Sequence, residues 1–353
     1  MRRWIVILLL AAACTSAGDG PATETTPEGL QGFSTAALNP VMLTGEPFIG
    51  LPTLGTPRDM LAEGEWLWVS DRAGEPFLHL VHTARRVEVA TFGRKGEGPG
   101  DFGGFPQLSL RPGDSGGVWG YDERQFRMTR VTHDSIPRVT TLRLEYPQIA
   151  FWGGWVGPTR IAQVGDFDTN RVMLVDTVGV LHAMHTVPLL GPDSVGIEAR
   201  RNAATGITVC ADPAGGRFTI AYVAAGRVEL HDTAGSHQLA AVPFPSNGDF
   251  GRGKEGKWTL RTPWRYYAGC TATSTAVYAL FAGHTDDGHT IAARQVHRFA
   301  WDGTLLGVLQ LDHPASVVAV SGDTLLYTGS AESDSIIRYR LPRAVALSTS
   351  RPH

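Results

Sequence analysis

The sequence predicts an all-β protein built as a closed ring of six four-stranded sheets, and three observations carry that expectation. The 353 residues include 42 glycines and 9 tryptophans, and no long stretch shows the i, i+3, i+4, i+7 spacing of an amphipathic helix; short segments of β character dominate instead. A weak repeat runs through the chain: Trp66-Leu-Trp-Val-Ser-Asp71 matches Val118-Trp-Gly-Tyr-Asp122. Likewise Leu80-Val-His-Thr83 matches Arg130-Val-Thr-His-Asp134, Leu174-Val-Asp-Thr177, Leu230-His-Asp-Thr233 and Phe299-Ala-Trp-Asp302. Finally, the last repeat stops one strand short.

These matches read as second and third strands of successive units. Dividing ~310 residues by about six gives roughly 50 per unit, close to the ~40 to 50 of β-propeller blades. Blades are expected near residues 56–104, 105–145, 146–198, 199–250 and 251–313. The sixth would contain Ser316-Val-Val-Ala-Val320, Thr324-Leu-Leu-Tyr327 and Ser335-Ile-Ile-Arg-Tyr339, and then the chain runs out. An unpaired edge leaves a row of backbone groups without partners, so the segment Pro47-Phe-Ile-Gly-Leu51 is expected to supply the missing strand and close the ring.

The chain opens with Arg2 and Arg3, an apolar run from Trp4 to Leu10, and Ala11-Ala12-Ala13-Cys14, which is the order of an export signal. The apolar core is too short for a permanent membrane helix, and no later stretch approaches the ~18 apolar residues one requires. The same residues resemble a lipobox, which implies a signal peptide over 1–14 and acylation of Cys14. Ala11 stands where that pattern prefers Leu, which leaves ordinary signal-peptidase cleavage open. No Asp follows Cys14, which favours the outer membrane, with the protein facing periplasm or surface. Residues 15–32 are poor in large apolar side chains and read as a flexible tether, 33–345 as the propeller and 346–353 as a tail.

Between the first two blades lies Gly93-Arg-Lys-Gly-Glu-Gly-Pro-Gly-Asp-Phe102, too rich in Gly and Pro to continue a strand. If Gly98 takes a positive φ, Gly98→Val is expected to disturb this link between the blades. With Phe92 it forms Phe-Gly-x-x-Gly-Glu-Gly-Pro-Gly-Asp-Phe, which resembles the loop of bacterial six-bladed β-propeller lipoproteins related to NHL-repeat and TolB-like propellers. The resemblance implies an exported binding or scaffold module. Some propellers are lactonases or lyases, which hold a divalent metal in the channel through Asp, Asn, Glu or His; that is the alternative activity.

In an antiparallel four-stranded blade, the turn between strands two and three and the link to the next blade emerge on one face. Asp71, Arg72, Arg94, Lys95, Glu97, Asp101, Asp122, Arg124 and Asp166 are therefore expected around one channel mouth, with Asp168, Asp286-Asp287 and Glu332-Asp334. Such an array suits a small polar or cationic ligand or a docking envelope protein, although tight turns demand Asp and Gly whether or not anything binds. Asn247-Gly-Asp-Phe-Gly-Arg252-Gly-Lys254 partly repeats the first loop three blades on, and Arg252 and Lys254 join the candidates for gripping an anion. Neither loop ends in the Gly-Lys-Ser/Thr of a nucleotide loop.

Cys210 and Cys270 fall at similar points of successive repeats and either bridge two blades as a disulfide or remain two buried thiols. His284-Thr-Asp-Asp-Gly-His289 lacks the spacing of a zinc signature, and no Gly-x-Ser-x-Gly elbow is present. The net charge of −3 with scattered signs excludes a nucleic-acid partner. The sequence thus points to a non-enzymatic module without a cofactor, touching the membrane through a lipid anchor alone.

Overall fold

The computed structural model describes residues 39–134, 139–143, 150–167, 170–185, 206–234, 264–285 and 293–342, with residues 195–197 and 200 and short strands elsewhere. The protein is a six-bladed β-propeller. Blade 1 comprises Pro57–Glu63, Trp66–Asp71, Leu78–His82 and Val87–Phe92, and blade 2 Gln107–Ser109, Gly117–Asp122, Arg127–Thr132 and Val139–Arg143. Blade 3 is Ala150–Trp155, Arg160–Phe167, Asn170–Asp176 and Leu181–His185, and blade 4 Ile207–Ala211, Arg217–Tyr222, Val228–Asp232 and His237–Leu239. Blade 5 is Trp264–Ala272, Ala276–Thr285, Ala293–Ala300 and Leu305–Ala315, and blade 6 begins with Val317–Ser321, Leu325–Ser330 and Ser333–Arg340. The repeat matches therefore fall in phase, on second and third strands.

Glu46–Gly50 completes blade 6, antiparallel to Ser333–Arg340, with Ile49 opposite Ile336 and Gly50 opposite Ser335. This is the closure expected of the Pro47–Leu51 segment. Just before it, Val41–Leu43 runs parallel to Leu305–Ala315 and gives blade 5 a fifth strand. The innermost strands touch from blade to blade, and that of blade 6 touches that of blade 1.

A blade in a ring is covered on both faces, so its strands read as near-continuous apolar runs rather than as alternations. In Trp66–Asp71, Leu67 and Val69 pack towards blade 6, while Trp66 and Trp68 pack towards blade 2. The core is accordingly divided into six clusters, one at each blade junction.

Two small sheets lie outside the blades. Within the segment read as a tether, Thr23–Thr25 pairs with Gln31–Phe33, which lies parallel to Val242–Pro243. In the link from blade 4 to blade 5, Phe250–Arg252 pairs with Trp258–Leu260. The expected second basic loop is thus in part a hairpin strand.

Candidate ligand site at the channel mouth

Three of the six innermost strands carry a bulge, all at the same end: between Pro57 and Asp59 in blade 1, between Ala150 and Trp152 in blade 3, and around Ala268 in blade 5. A bulge inserts one residue and re-aims its neighbours, so that successive side chains reach one side of the strand. Arg58 with Asp59, and Phe151 with Trp152, consequently all face one cavity of about 920 Å³ in the channel. Its volume falls within the range of small-molecule sites.

The rim of this cavity is formed by turns between strands two and three, Arg72–Glu75 and Glu123-Arg124, and by the link from blade 1 to blade 2, which supplies Lys95 and Gly103–Phe105. The two kinds of connection share one face, as alternating strand direction requires. Arg58, Arg72, Lys95 and Arg124 bring four cations, against the two rim carboxylates Glu75 and Glu123. Arg58 lies over the Phe105 ring, 5.7 Å from its centroid, and Arg124 Nη1 donates to Gly103 O at 3.2 Å. Burial pushes the Glu123 carboxyl above its ordinary range, while Arg124, Arg58 and Arg72 pull it back and Asp122 adds to the rise. The three arginines thus act on one place at the mouth.

Five of the expected site residues divide into two groups. Arg72, Lys95 and Arg124 line the cavity. Asp71 and Asp122 are buried behind it: Asp71 accepts from the backbone N–H of Gly55 (2.6 Å), Thr56 (2.8 Å) and Ala73 (2.8 Å), and Asp122 from Gly103 (2.5 Å), Arg124 (3.0 Å) and Gln125 (3.3 Å). Both carboxylates tie a turn to the link entering their own blade.

The Gly93–Phe102 loop is held from within. Asp101 accepts from Arg94 Nε (2.9 Å) and from Gly98 N (3.2 Å), and Phe102 is fully buried against Phe77. Arg127, a buried guanidinium of blade 2, donates to the carbonyls of Glu97 and Gly98 at 3.1 and 3.3 Å and to that of Asp101. The Glu97 side chain is exposed and does not line the cavity. The positive φ values belong to Gly93 (78°) and Gly100 (81°) rather than to Gly98. Gly98 is required for space instead, since a Cβ there would stand 2.8 Å from Asp101 Oδ2.

Asp166 lies in the second strand of blade 3, and Arg252 is exposed on the hairpin outside the blades. Cys14, Lys254, Asp168, Asp286 and Asp287 lie outside the described residues. Among the described residues no three His, Cys, Asp or Glu side chains gather as a metal-binding group.

Sequence reasoning missed Asp59. A second cavity of about 250 Å³ enters from the opposite face, and the two share Asp59, Val209 and Cys270 at the channel waist. Asp59 Oδ1 accepts from Met60 N at 2.8 Å and Oδ2 from Leu108 N of blade 2 at 2.7 Å. Burial raises its carboxyl to about 7; the two backbone N–H groups and Arg58 oppose the rise without cancelling it. The available signal was Arg58-Asp59 at the start of an innermost strand, where other blades place Phe151-Trp152, Ala268-Gly269 or Val317-Val318. Perturbed carboxyls of this kind concentrate at functional sites.

Cys210 and Cys270 also reach the channel, from the innermost strands of blades 4 and 5. They are free thiols that interact directly, and burial followed by Cys270 raises the Cys210 thiol well above its ordinary range.

The chain matches no protein-family model, and no curated protein matches it either. Solved structures share the architecture. A member of the DUF4221 family from Bacteroides vulgatus superposes with a TM-score of 0.56 at 10% identity, covering 86% of this chain and 97% of that one. A streptogramin B lyase gives 0.51 at 11% identity, covering 85% and 98%. At these identities the likeness extends to the fold.

Proposed function

We propose that this protein is an exported, lipid-anchored β-propeller that acts as a non-enzymatic binding module at the cell envelope and takes a small anion-bearing polar ligand into its channel mouth. One observation carries the reading: Arg58, Arg72, Lys95 and Arg124 stand together over a cavity walled by Phe105, Phe151 and Trp152. Guanidinium groups recognise carboxylate and phosphate through paired hydrogen bonds, and a partly enclosed site strengthens that attraction relative to open water. The anchor rests on Arg2-Arg3, the apolar run after them and Cys14.

The double variant Arg58→Ala/Arg124→Ala is expected to weaken binding of small carboxylates or phosphate esters by tenfold or more, measured by calorimetry, with the melting temperature nearly unchanged. Unaltered binding would remove the mouth from the site. For the anchor, Cys14→Ser is expected to abolish incorporation of labelled palmitate and shift the protein from the membrane to the soluble fraction; labelling that persists would overturn it. The rival is a metal-dependent hydrolase or lyase using Asp59, Glu75 and Glu123, the carboxylates that line the cavity. Stoichiometric divalent metal retained through dialysis, with lactone or ester turnover, is the result that favours it.

A further inference from the structure

We propose that the channel waist is a subsite for a primary ammonium group, so that the ligand is a small zwitterion with an apolar body, its ammonium at Asp59 and its carboxylate or phosphate at the arginine mouth. This rests on the reading of the mouth as an anion site. Three residues with acceptor atoms, Asp59, Gln107 and Thr208, line the cavity below the rim. The Asp59 oxygens each accept one backbone N–H, from Met60 and Leu108, and each keeps a second lone pair. Gln107, the residue before Leu108, donates through Nε2 to Phe151 O at 2.6 Å, which fixes its amide, while its Oε1 is buried without a hydrogen-bond partner. Thr208 donates its hydroxyl to Cys270 Sγ at 4.0 Å, which leaves its oxygen as an acceptor.

A buried acceptor without a donor costs free energy, and a ligand that brings donors recovers it. One carboxylate and two neutral oxygens suit a compact group with three N–H donors and a single positive charge. Arg58, engaged at the Phe105 ring, is the weakest of the influences on Asp59.

The pH dependence follows from what faces Asp59. Its own strand contributes Arg58, and blade 2 contributes the Leu108 N–H. Blades 4 and 5 contribute Cys210 and Cys270, of which Cys210 is held as a thiol by burial. Blade 3 presents Phe151 and Trp152, and blade 6 Val317 and Val318, which do not titrate; Arg72, Glu75, Lys95, Glu123 and Arg124 stand at the rim. With Asp59 near 7, ammonium affinity rises as pH passes through neutrality. It falls again as the ligand's own amine deprotonates, near pH 8 for a peptide terminus and higher for an alkylamine.

The test titrates the full-length protein in detergent with ω-aminooctanoic acid, its N-acetyl form and its C-amide, and with trileucine and its N-acetyl form to separate alkyl from peptide sources. At pH 7.5 at least one free zwitterion is expected to bind tenfold or more tighter than its N-acetyl form. That ratio is expected to narrow to within threefold in Asp59→Asn, in part in Gln107→Met, and in the native protein at pH 5.5. If N-acetyl forms bind as well as free ones, the anion mouth stands and the waist subsite falls. If no probe binds, both readings fall.

Discussion

A chain that begins at residue 52 is expected to lose cooperative folding, or to melt at least ten degrees below one that begins at residue 39. The missing segment carries the outer strand of blade 6, Glu46–Gly50, and the added strand of blade 5, Val41–Leu43. Leu43, Phe48 and Leu51 are 6%, 5% and 0% exposed. Burial of such side chains is worth about 1.5–3 kcal/mol each, so three contribute roughly 5–9 kcal/mol, comparable to the roughly 5–15 kcal/mol of a whole domain. The same cut removes Glu46, which accepts from Arg338 Nε at 2.6 Å, and the Leu51 N–H bond to Asp334 O at 2.8 Å. It also bares the Ser333–Arg340 edge to pairing with other chains. Thermal melting by circular dichroism and size-exclusion chromatography are the measurements; an unchanged midpoint in a monodisperse monomer would show that the ring closes without these strands.

Asp71→Ala is expected to lower stability by about 3 kcal/mol, because it removes a buried carboxylate and leaves three part-buried backbone donors without their acceptor. Gly55, Thr56 and Ala73 lose their acceptor, and His79 loses the carboxylate 3.7 Å from its Nε2. A loss of that size corresponds to a shift of roughly 5 °C in a domain of about 300 residues, whose unfolding entropy is about 0.6 kcal/mol/K. The acid limb of stability should change with it. Burial is the largest single influence on Asp71 and acts to raise its pKa, but His79 and the three N–H groups together outweigh it and bring the group to about 2. A lowered folded-state value means that the stabilisation is full above the unfolded value near 4 and disappears as pH falls through about 2. The variant should therefore show a flatter melting profile between pH 4 and 2 than the native protein. A full-strength acid limb in Asp71→Ala would assign that limb to other carboxylates.

The contrast between Asp71 and Arg72 shows where reading along the chain stops. Both sit on one turn with the same composition signal, yet the first is buried in backbone hydrogen bonds and the second lines the cavity. Turn chemistry places Asp at such positions because its oxygens cap nearby N–H groups, and that local demand is visible in sequence. Whether a neighbouring cation turns towards the channel depends on what packs behind it. Arg94 and Lys95 divide in the same way: one pairs with Asp101 inside the loop, the other reaches the cavity. Asp59 carried no local signal beyond its unusual place on an innermost strand, because its role arises from a bulge and from the approach of Leu108, 49 residues away.

The sequence by itself determined the all-β class, the six units, the phase of second and third strands, the closing segment and the face on which the turns and links meet. Each follows from a pattern local to the chain: apolar runs doubly covered in a ring, turn residues between them, and strand directions that must alternate. Only the tertiary structure decided which charges serve the framework and which serve the channel, because that division is set by burial and by partners from other blades. It also placed Asp59, Cys210 and Cys270 in one passage, since a ring brings together innermost strands that the chain keeps some 60 to 210 residues apart.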